Sequence, residues 1–398
     1  MKYPRRLLLC MPHMSGHEMK YLEDAMAGNW AVPLGPHVDA FEQKLEQFLG
    51  LEGTGKRVVA VSAGTAAIHL ALIACGVTAG DEVLCQSMTF AASCNPITYL
   101  GAKPVFIDSE EDSWNINPAL LDAAINDRIA LTGTKPKAII AVHLYGMPAK
   151  IDQIRAIANA HNIPLIEDAA EALGSRFKGQ YAGTFGDYGI LSFNGNKMIT
   201  TSGGGALIVP NDEARQRILY FATQARQNCP YYHHTEVGFN YRLSNISACI
   251  GLGQLEILND HLAHHRAVNN TYRQLLANEP RISLLGNPSA EFDSNFWLST
   301  ILLAPELRIN GTENTSPLTN CEPNANVEAL RQKLAALNIE TRPLWKPMHC
   351  QPVFASSTAY INGTSEALFA KGLCLPSGPD ITPTDQQFIV NAIFESLK

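Results

Sequence analysis

Hydrophobic and polar residues alternate in blocks along residues 57–210. Short apolar runs bounded by turn residues predict strands, and the stretches between them repeat apolar residues at helical spacing. Alternation of this kind is typical of βαβ units, so the sequence predicts an α/β fold with a central, mostly parallel, seven-stranded sheet. The predicted strands are 57–61, 82–85, 104–107, 138–142, 164–167, 188–192 and 206–209, and the clearest helical patterns between them are 66–74, 118–125 and 151–160.

The flanking regions have a different pattern. Helical patterns at 16–26 and 38–48 form an N-terminal arm, and one long helical pattern runs from 244 to 275. Residues 305–326 are rich in Asn, Thr and Pro and predict an exposed loop, and helices are predicted at 327–337 and 384–396. Because 398 residues exceed the roughly 250–300 that one core holds, we expect two domains. These are an arm and large domain at 1–255 and a smaller α+β C-terminal domain at 256–398.

Composition narrows the class of protein. Hydrophobic residues make up 46% of the chain and the net charge is -7, which excludes a disordered protein and a broad cationic surface. We therefore expect no nucleic-acid or membrane partner. The apolar run at 7–11 is too short for a signal peptide, so a cytoplasmic protein is expected. Nine cysteines without a Cys-x-x-Cys pair predict buried small side chains and no metal site.

Three segments could carry chemistry. Residues 62–67, Ser-Ala-Gly-Thr-Ala-Ala, join a strand to a helix, where backbone N–H groups and the helix dipole favour a phosphate. Asp168 ends an apolar strand at the sheet edge where ligands bind. Lys197 lies in a polar turn between an apolar strand and a glycine-rich return, a setting that favours a neutral, nucleophilic amine. Taken singly, each segment also has a simpler interpretation. Residues 62–67 could be an ordinary turn, Asp168 a helix cap and Lys197 a surface charge.

Together the three segments match the needs of pyridoxal 5'-phosphate (PLP). That cofactor requires a phosphate cup, a carboxylate at its pyridine nitrogen and a lysine that binds its aldehyde. Phe90 offers a face on which the ring could stack, with core packing as its alternative role. The combination therefore predicts a PLP site with Lys197 as the catalytic residue.

The sequences of these motifs resemble those of the DegT/DnrJ/EryC1/StrS family of sugar aminotransferases. The resemblance extends from the N-terminal arm to the C-terminus. The resemblance rests on residues 62–67, 168–174, 192–197, 238–244 and 342–345. It implies the type I, aspartate aminotransferase-like fold. Within the family, Asn-Gly-Asn-Lys-x-Ile-Thr-Thr-Ser-Gly-Gly-Gly at 194–205 is most similar to the UDP-linked 4-keto-6-deoxy-N-acetylglucosamine 4-aminotransferases of the UDP-N-acetylbacillosamine route.

The resemblance also implies roles for single residues. It places Lys197 on the cofactor aldehyde and Asp168 at the ring nitrogen. Glu171 is implied near the ring hydroxyl, although many members have Gln or His there. Asn240 is implied to reach the phosphate across a homodimer interface, which gives shared active sites. The residues implied around the phosphate are Gly64, Thr65 and Ser192.

The implied reaction moves an amino group from L-glutamate to C4 of a UDP-linked keto sugar. The substrate's anionic groups need cationic partners, and the candidates from sparsely charged motifs are Arg226, Arg242, Arg342 and His349. His143 could also line the pocket, although a core histidine is the favoured interpretation.

Other functions fit the sequence less well. Residues 50–56 match the start of a P-loop, but Arg57 stands at the Ser/Thr position, and no dinucleotide fingerprint follows the first strand. Family members with histidine in place of the lysine are dehydratases, so Lys197 favours transamination. A non-catalytic PLP-binding sensor, or an enzyme for another nucleotide sugar, stays open as the alternative.

Overall fold

The computed structural model describes residues 2–312 and 321–397. Its helices are α1 (Glu18–Ala27), α2 (Pro36–Phe48), α3 (Gly64–Ala74), α4 (Asn95–Tyr99), α5 (Pro118–Thr132), α6 (Ile151–His161), α7 (Asp212–Ala222), α8 (Asn245–Glu256), α9 (Leu258–Leu276), α10 (Ala325–Ala336), α11 (Thr364–Lys371) and α12 (Pro383–Ser396). Its strands are β1 (Arg57–Val61), β2 (Glu82–Gln86), β3 (Lys103–Ile107), β4 (Ala138–Val142), β5 (Leu165–Asp168), β6 (Arg176–Phe177), β7 (Gln180–Tyr181), β8 (Tyr188–Ser192), β9 (Gly205–Val209), β10 (Ile282–Leu284), β11 (Phe292–Asp293), β12 (Ser299–Leu303), β13 (Arg342–Pro343), β14 (Thr358–Tyr360) and β15 (Gly372–Leu375).

The central sheet follows the predicted α/β plan. In the described residues its order is β1-β9-β8-β5-β4-β2-β3-β14, and only β9 runs antiparallel to its neighbours. All seven predicted strands are present. The predicted number is nevertheless wrong by one, because β14 adds an eighth strand beside β3. Its sequence, Thr-Ala-Tyr, is too short and too polar to give a strand pattern, and the pairing brings a C-terminal segment onto the N-terminal sheet.

Both faces of the sheet are buried. Val58 and Ala60 of β1 belong to one apolar cluster, whereas Val59 and Val61 belong to another. Successive side chains of a strand point to opposite faces, so these clusters lie on the two sides of the sheet under the surrounding helices. Polar side chains at the sheet are therefore concentrated at its edge, where the strands end.

Local signals explain where several helices begin. Helix α5 starts after Asn117, whose side chain accepts hydrogen bonds from two backbone N–H groups, and has a proline at its first position. Helix α12 starts with a capping box between Thr382 and Asp385. The long pattern predicted from 244 to 275 is two helices, because Ile257 leaves the helical region at ψ 7° and separates α8 from α9.

The C-terminal region builds its own core. An antiparallel sheet in the order β10-β12-β15-β13 packs with α9, α10 and α12 around a third apolar cluster, to which Leu7 also belongs. Part of the predicted loop at 305–326 lies outside the described residues, and its end is the start of α10. Of the helices in the described ranges, none combines the length and apolar character that a bilayer crossing requires.

Candidate active site

A cavity of about 240 Å³ opens at the carboxyl ends of the central strands. The turns that follow β1, β2, β5 and β8 all contribute to its wall. Because parallel strands end at the same edge, residues far apart in sequence meet here. The predicted site residues that line it are Gly64, Thr65, Phe90, Asp168, Glu171, Ser192 and Lys197.

One end of the cavity suits an anion. Helix α3 begins at Gly64, and its N-cap residue Ala63 makes no side-chain capping hydrogen bond. The first N–H groups of a helix lack intrahelical acceptors, so they are available to a ligand. A Cβ atom at position 64 would lie 3.3 Å from the Cβ of Ser192, so a side chain there would crowd the serine. Gly64, Thr65 and Ser192 thus form a small polar cup.

Asp168 presents a fixed carboxylate to the cavity. It is the last residue of β5 and is buried. Its Oδ2 accepts a hydrogen bond from Ser93 Oγ at 2.6 Å, and its Oδ1 accepts one from the Ala170 N–H at 3.1 Å. Ser93 Oγ is itself 2.7 Å from Thr89 Oγ1. These contacts orient the carboxylate, as a partner for a protonated ring nitrogen requires.

The preceding residue, Glu167, faces away from the cavity and has a structural partner. Its Oε2 lies 2.9 Å from Nε2 of the buried His143, whose Nδ1 accepts the Ala149 N–H at 3.0 Å. Burial raises the pKa of Glu167, but the bond from His143 and the N–H groups of Gly183 and Gly186 outweigh it, and the pKa is lowered. His143 is therefore a core histidine, as the sequence favoured.

Lys197 reaches the cavity from the turn after β8. The backbone of this turn is closed by a hydrogen bond from the Lys197 N–H to the Asn194 carbonyl at 2.9 Å. The Nζ atom lies 4.0 Å from the centre of the Trp297 ring and 3.6 Å from Glu171 Oε1. The amine is thus directed into the cavity by an aromatic face and a carboxylate.

Glu171 is a buried carboxyl with donors at both oxygens. The Tyr145 N–H donates to Oε2 at 2.7 Å, and Trp345 Nε1 donates to Oε1 at 3.3 Å. Burial raises the pKa of Glu171, and the nearby Lys197 amine opposes that effect only in part. A carboxyl with a raised pKa next to an amine is able to share a proton with it.

Aromatic rings complete the wall, and sequence reasoning missed two of them. Trp297 donates from Nε1 to the Asn196 carbonyl at 2.6 Å, which ties it to the lysine turn. Trp345 lies 5.3 Å from the ring of the half-exposed Phe90. Trp345 belongs to the motif at 342–345, and that motif was a signal for its place in the site. Trp297 stands in no such motif, and only the tertiary contact reveals it.

The four predicted substrate contacts do not line this cavity within one chain. Arg242 is buried against Glu42, and its Nη1 also donates to the Ala60 carbonyl at 2.8 Å. Arg342 is exposed and pairs with Glu340 at 2.9 Å.

The other two of these residues have neighbours of their own. Arg226 is exposed beside the Tyr232 ring, 4.5 Å from its centre. His349 Nδ1 lies 2.6 Å from Ser87 Oγ, and its Nε2 lies 3.2 Å from Glu366. Arg242, Arg342 and His349 each pair with a charged or polar side chain that is not part of the cavity wall.

Asn240 lies outside the cavity but beside it. It lines a neighbouring pocket of about 440 Å³ that shares Ser62 and Gly203 with the cavity wall. Within one chain, the residue therefore faces a space next to the phosphate cup and not the cup itself.

Comparison with known proteins agrees with this geometry. The model of the DegT/DnrJ/EryC1/StrS aminotransferase family matches residues 12–394. The chain belongs to this family. A putative pyridoxal phosphate-dependent aminotransferase of Bacillus subtilis, EpsN, is 44% identical, with 98% of this chain and 95% of the relative covered. GDP-perosamine synthase of Caulobacter vibrioides is 34% identical, with 98% of both chains covered.

A solved structure of a DegT/DnrJ/EryC1/StrS aminotransferase from Brucella abortus has a TM-score of 0.84 and 29% identity, with 96% of this chain and 95% of the other covered. The fold is therefore that of the PLP-dependent aminotransferases, as predicted. The chain is a PLP-dependent sugar aminotransferase, and its activity is transamination.

The cavity residues fit the cofactor. An uncapped helix N-terminus suits a phosphate, an oriented aspartate suits a pyridinium nitrogen, and an amine suits an aldehyde. The three groups line a single cavity, as one bound PLP molecule requires.

Proposed function

We propose that this aminotransferase moves the amino group of L-glutamate to C4 of a nucleotide-linked 4-keto-6-deoxy sugar. The proposed acceptor is UDP-2-acetamido-2,6-dideoxy-4-hexulose, and the product is UDP-4-amino-4,6-dideoxy-N-acetylglucosamine. The observation that carries the proposal is that Lys197 and Asp168 line one cavity beside an uncapped helix N-terminus. The choice of sugar is supported by the motif wording at 194–205.

Each cavity residue has a proposed task. Gly64, Thr65 and Ser192 bind the cofactor phosphate through N–H and hydroxyl groups. Asp168 would accept a hydrogen bond from the protonated ring nitrogen. The hydrogen bond that Ser93 donates to Asp168 orients the carboxylate for that contact. When bound, PLP supplies an electrophilic carbon and a conjugated ring that accepts the electron pair left by loss of the donor's α-proton.

Lys197 has two tasks at one atom. Its Nζ would hold the cofactor aldehyde, and as a free amine it would remove the α-proton of the donor and carry it. The Trp297 ring at 4.0 Å limits the directions in which the amine can move. Glu171, at 3.6 Å, is positioned to share the proton while the amine is free.

A homodimer with shared sites is part of the proposal. Exposed large apolar side chains cluster in the N-terminal arm, including Trp30, Val32 and Leu34, and again at Tyr231 and Tyr232. Such patches are typical of protein interfaces. Val32 also lines the pocket that contains Asn240, which places Asn240 at the edge of this apolar surface.

Mixing two inactive variants tests the shared site. If Asn240 serves the partner's cofactor, Lys197→Ala and Asn240→Asp chains refolded or expressed together form a mixed dimer with one complete site, and activity returns. If Asn240 serves its own chain, both sites of the mixed dimer are defective and activity stays lost. Each variant alone, with light scattering to measure the mass, is the control.

The cofactor and donor are tested by absorbance. The purified protein should be yellow, and L-glutamate should bleach that band as the amino group is transferred to the cofactor. A protein that stays colourless after incubation with PLP would contradict the proposal. A non-catalytic sensor would be yellow but would release no 2-oxoglutarate.

The sugar is tested by comparing two nucleotide-linked substrates in separate reactions. UDP-2-acetamido-2,6-dideoxy-4-hexulose and a GDP-linked 4-keto-6-deoxy sugar are each incubated with enzyme and glutamate, and the amino-sugar product is measured by mass spectrometry. The GDP arm is needed because a relative is named for a GDP-linked sugar. We expect a higher kcat/KM with the UDP substrate, and the reverse ranking would replace the proposed sugar while leaving transamination intact.

A further inference from the structure

A group of metal-binding side chains lies outside the active site. Cys321, Cys350 and Glu366 each place one ligand atom within 4.8 Å of the others. They come from three separate segments: the residues before α10, the residues after Trp345, and the first turn of α11. Because the ligands are this far apart in sequence, no short motif indicates them, and the nine cysteines had predicted no metal site.

The donor set suits zinc. Two sulfur ligands favour Zn²⁺ over the hard cations Ca²⁺ and Mg²⁺, which prefer oxygen ligands alone. Ligand bonds of about 2.0–2.3 Å in a tetrahedron put the donor atoms roughly 3.3–3.8 Å apart. The three atoms of this group would need only a small inward movement to reach that spacing.

His349 contacts one member of the group, Glu366, from outside it. Its Nε2 lies 3.2 Å from Glu366 Oε1, and its Nδ1 lies 2.6 Å from Ser87 Oγ. Side chains that orient the ligands of a metal contribute to its affinity. When the Ser87 hydroxyl donates to Nδ1, the Nε2–H of His349 donates to Glu366 and orients that carboxylate.

We propose that Cys321, Cys350 and Glu366 bind a Zn²⁺ ion, with a water molecule as the fourth ligand. Each thiol loses its proton when its sulfur binds the ion, so two protons are released for each Zn²⁺ bound. The bound ion would connect the three segments, including the one that carries Trp345 into the active site. The site is independent of the sugar that the enzyme uses.

The charges around the group are consistent with this assignment. The Lys346 amine lies near both sulfurs. Lys346 also pairs with Glu322 at 3.1 Å, so its amine is held beside the group. Two thiolates and a carboxylate exceed the charge of one Zn²⁺ by one unit, and Lys346 offsets the charge of the nearby Glu322. Because protons compete with the metal, binding should strengthen as the pH rises.

Direct titration tests the site. Untagged holoenzyme is reduced, dialysed against a chelator and titrated with Zn²⁺ by calorimetry, and Co²⁺ is used as a spectroscopic probe. We expect one Zn²⁺ per chain, and Co²⁺ should give tetrahedral d–d bands at wavelengths longer than those of the PLP band. The thermal midpoint should rise with Zn²⁺, because the ion binds the folded chain. Failure of the wild-type holoenzyme to bind either ion would overturn the proposal.

Matched variants locate the ion. Cys350→Ser and Glu366→Gln each remove one ligand, and Cys350→Ser should weaken Zn²⁺ binding by at least about 100-fold. Ser87→Ala removes only the orienting bond of His349 and should weaken binding roughly 10-fold. Cys229→Ser changes a partly buried cysteine elsewhere and should bind like the wild type. Equal binding by Cys350→Ser and Cys229→Ser would contradict the assignment.

The two sulfurs could instead form a disulfide. Mass spectrometry of the protein as purified, without reductant, would then show the loss of two hydrogens in a peptide pair containing Cys321 and Cys350. That result, together with no Zn²⁺ binding by the reduced protein, would overturn the metal site. If Cys350→Ser does not fold, as judged by circular dichroism, Cys321→Ser takes its place.

Discussion

The cofactor side of the active site and its predicted substrate contacts differ in how the fold holds them. Gly64 begins a helix, Asp168 ends a strand and Lys197 lies in the turn after β8, and all three line one cavity. Arg242 and Arg342, by contrast, are engaged by Glu42 and Glu340 outside it. The positions of residues at strand ends and helix starts follow from the backbone and can be predicted from sequence. Long cationic side chains instead pair with the carboxylate that the tertiary structure brings nearest.

The same contrast exists between adjacent residues of β5. Glu167 and Asp168 are both buried carboxylates, but they lie on opposite sides of the strand. Glu167 is satisfied by His143 and backbone N–H groups, and Asp168 faces the cavity. Two adjacent acidic residues therefore differ in surroundings: Glu167 has partners in the core, and Asp168 faces the cavity.

The largest expected loss of activity is for Lys197→Ala. Removing the amine removes both the attachment of the cofactor and the proton carrier, so the rate of the glutamate half-reaction should fall by at least about 1,000-fold. Stopped-flow absorbance with saturating PLP measures it. Lys178→Ala, which removes an exposed lysine paired with Asp152, is the control. Substantial turnover by Lys197→Ala would mean that another residue is the catalytic base.

His143→Leu should act on stability and not on chemistry. It leaves Glu167 buried without its partner, which costs about 3–5 kcal/mol of unfolding free energy. The contribution of Glu167 depends on its lowered pKa, so it is present above the unfolded value near 4.5 and lost as the pH falls through the folded value. Urea unfolding at several pH values measures the effect, and an unchanged midpoint at pH 7 would contradict it.

Asp168→Asn should reduce turnover while the protein stays folded. The amide retains the shape but loses the charge that keeps the ring nitrogen protonated, and we expect a fall of about 100-fold in kcat. Ser93→Ala, which removes only the bond that orients Asp168, should cost about 5-fold. A reversed order of these two variants would mean that orientation matters more than charge.

Trp297→Phe tests a residue found only in the structure. Phenylalanine keeps a ring near the Lys197 amine but loses the N–H that donates to the Asn196 carbonyl. The half-reaction should slow about 5-fold, the effect of one hydrogen bond. Trp114→Phe changes a buried indole outside the cavity wall and serves as the matched control. Identical kinetics for the two variants would mean that the Trp297 N–H has no role in the half-reaction.

Arg342→Ala should have the smallest effect. Its side chain is exposed and paired with Glu340, so kcat/KM for the sugar should change less than about 2-fold. Steady-state kinetics with both half-substrates measures it. A larger increase in KM would show that Arg342 contacts the substrate in the assembled enzyme, and it would weaken the comparison drawn above.

Much of the fold was predictable because hydrophobic periodicity reflects burial. Within the described ranges, seven of the eight strands of the central sheet, all except β14, bury apolar side chains on both faces, and that pattern is visible without any contacts. The strand β14 was not predictable, because three residues at a sheet edge are held by their neighbour and not by their own pattern. The break at Ile257 between α8 and α9 was not predictable either, because the apolar spacing continues across it.

The sequence by itself determined the class of cofactor and the residues proposed to bind it. Asp168 and Lys197 follow strands, and the order of strands in a parallel sheet brings such ends together. Only the tertiary structure decided which side chains surround them, including Trp297 and Glu171 at Lys197, and which distant cysteines meet. Backbone position follows from local pattern, whereas side-chain partnership depends on atoms that are neighbours in space and remote in the chain.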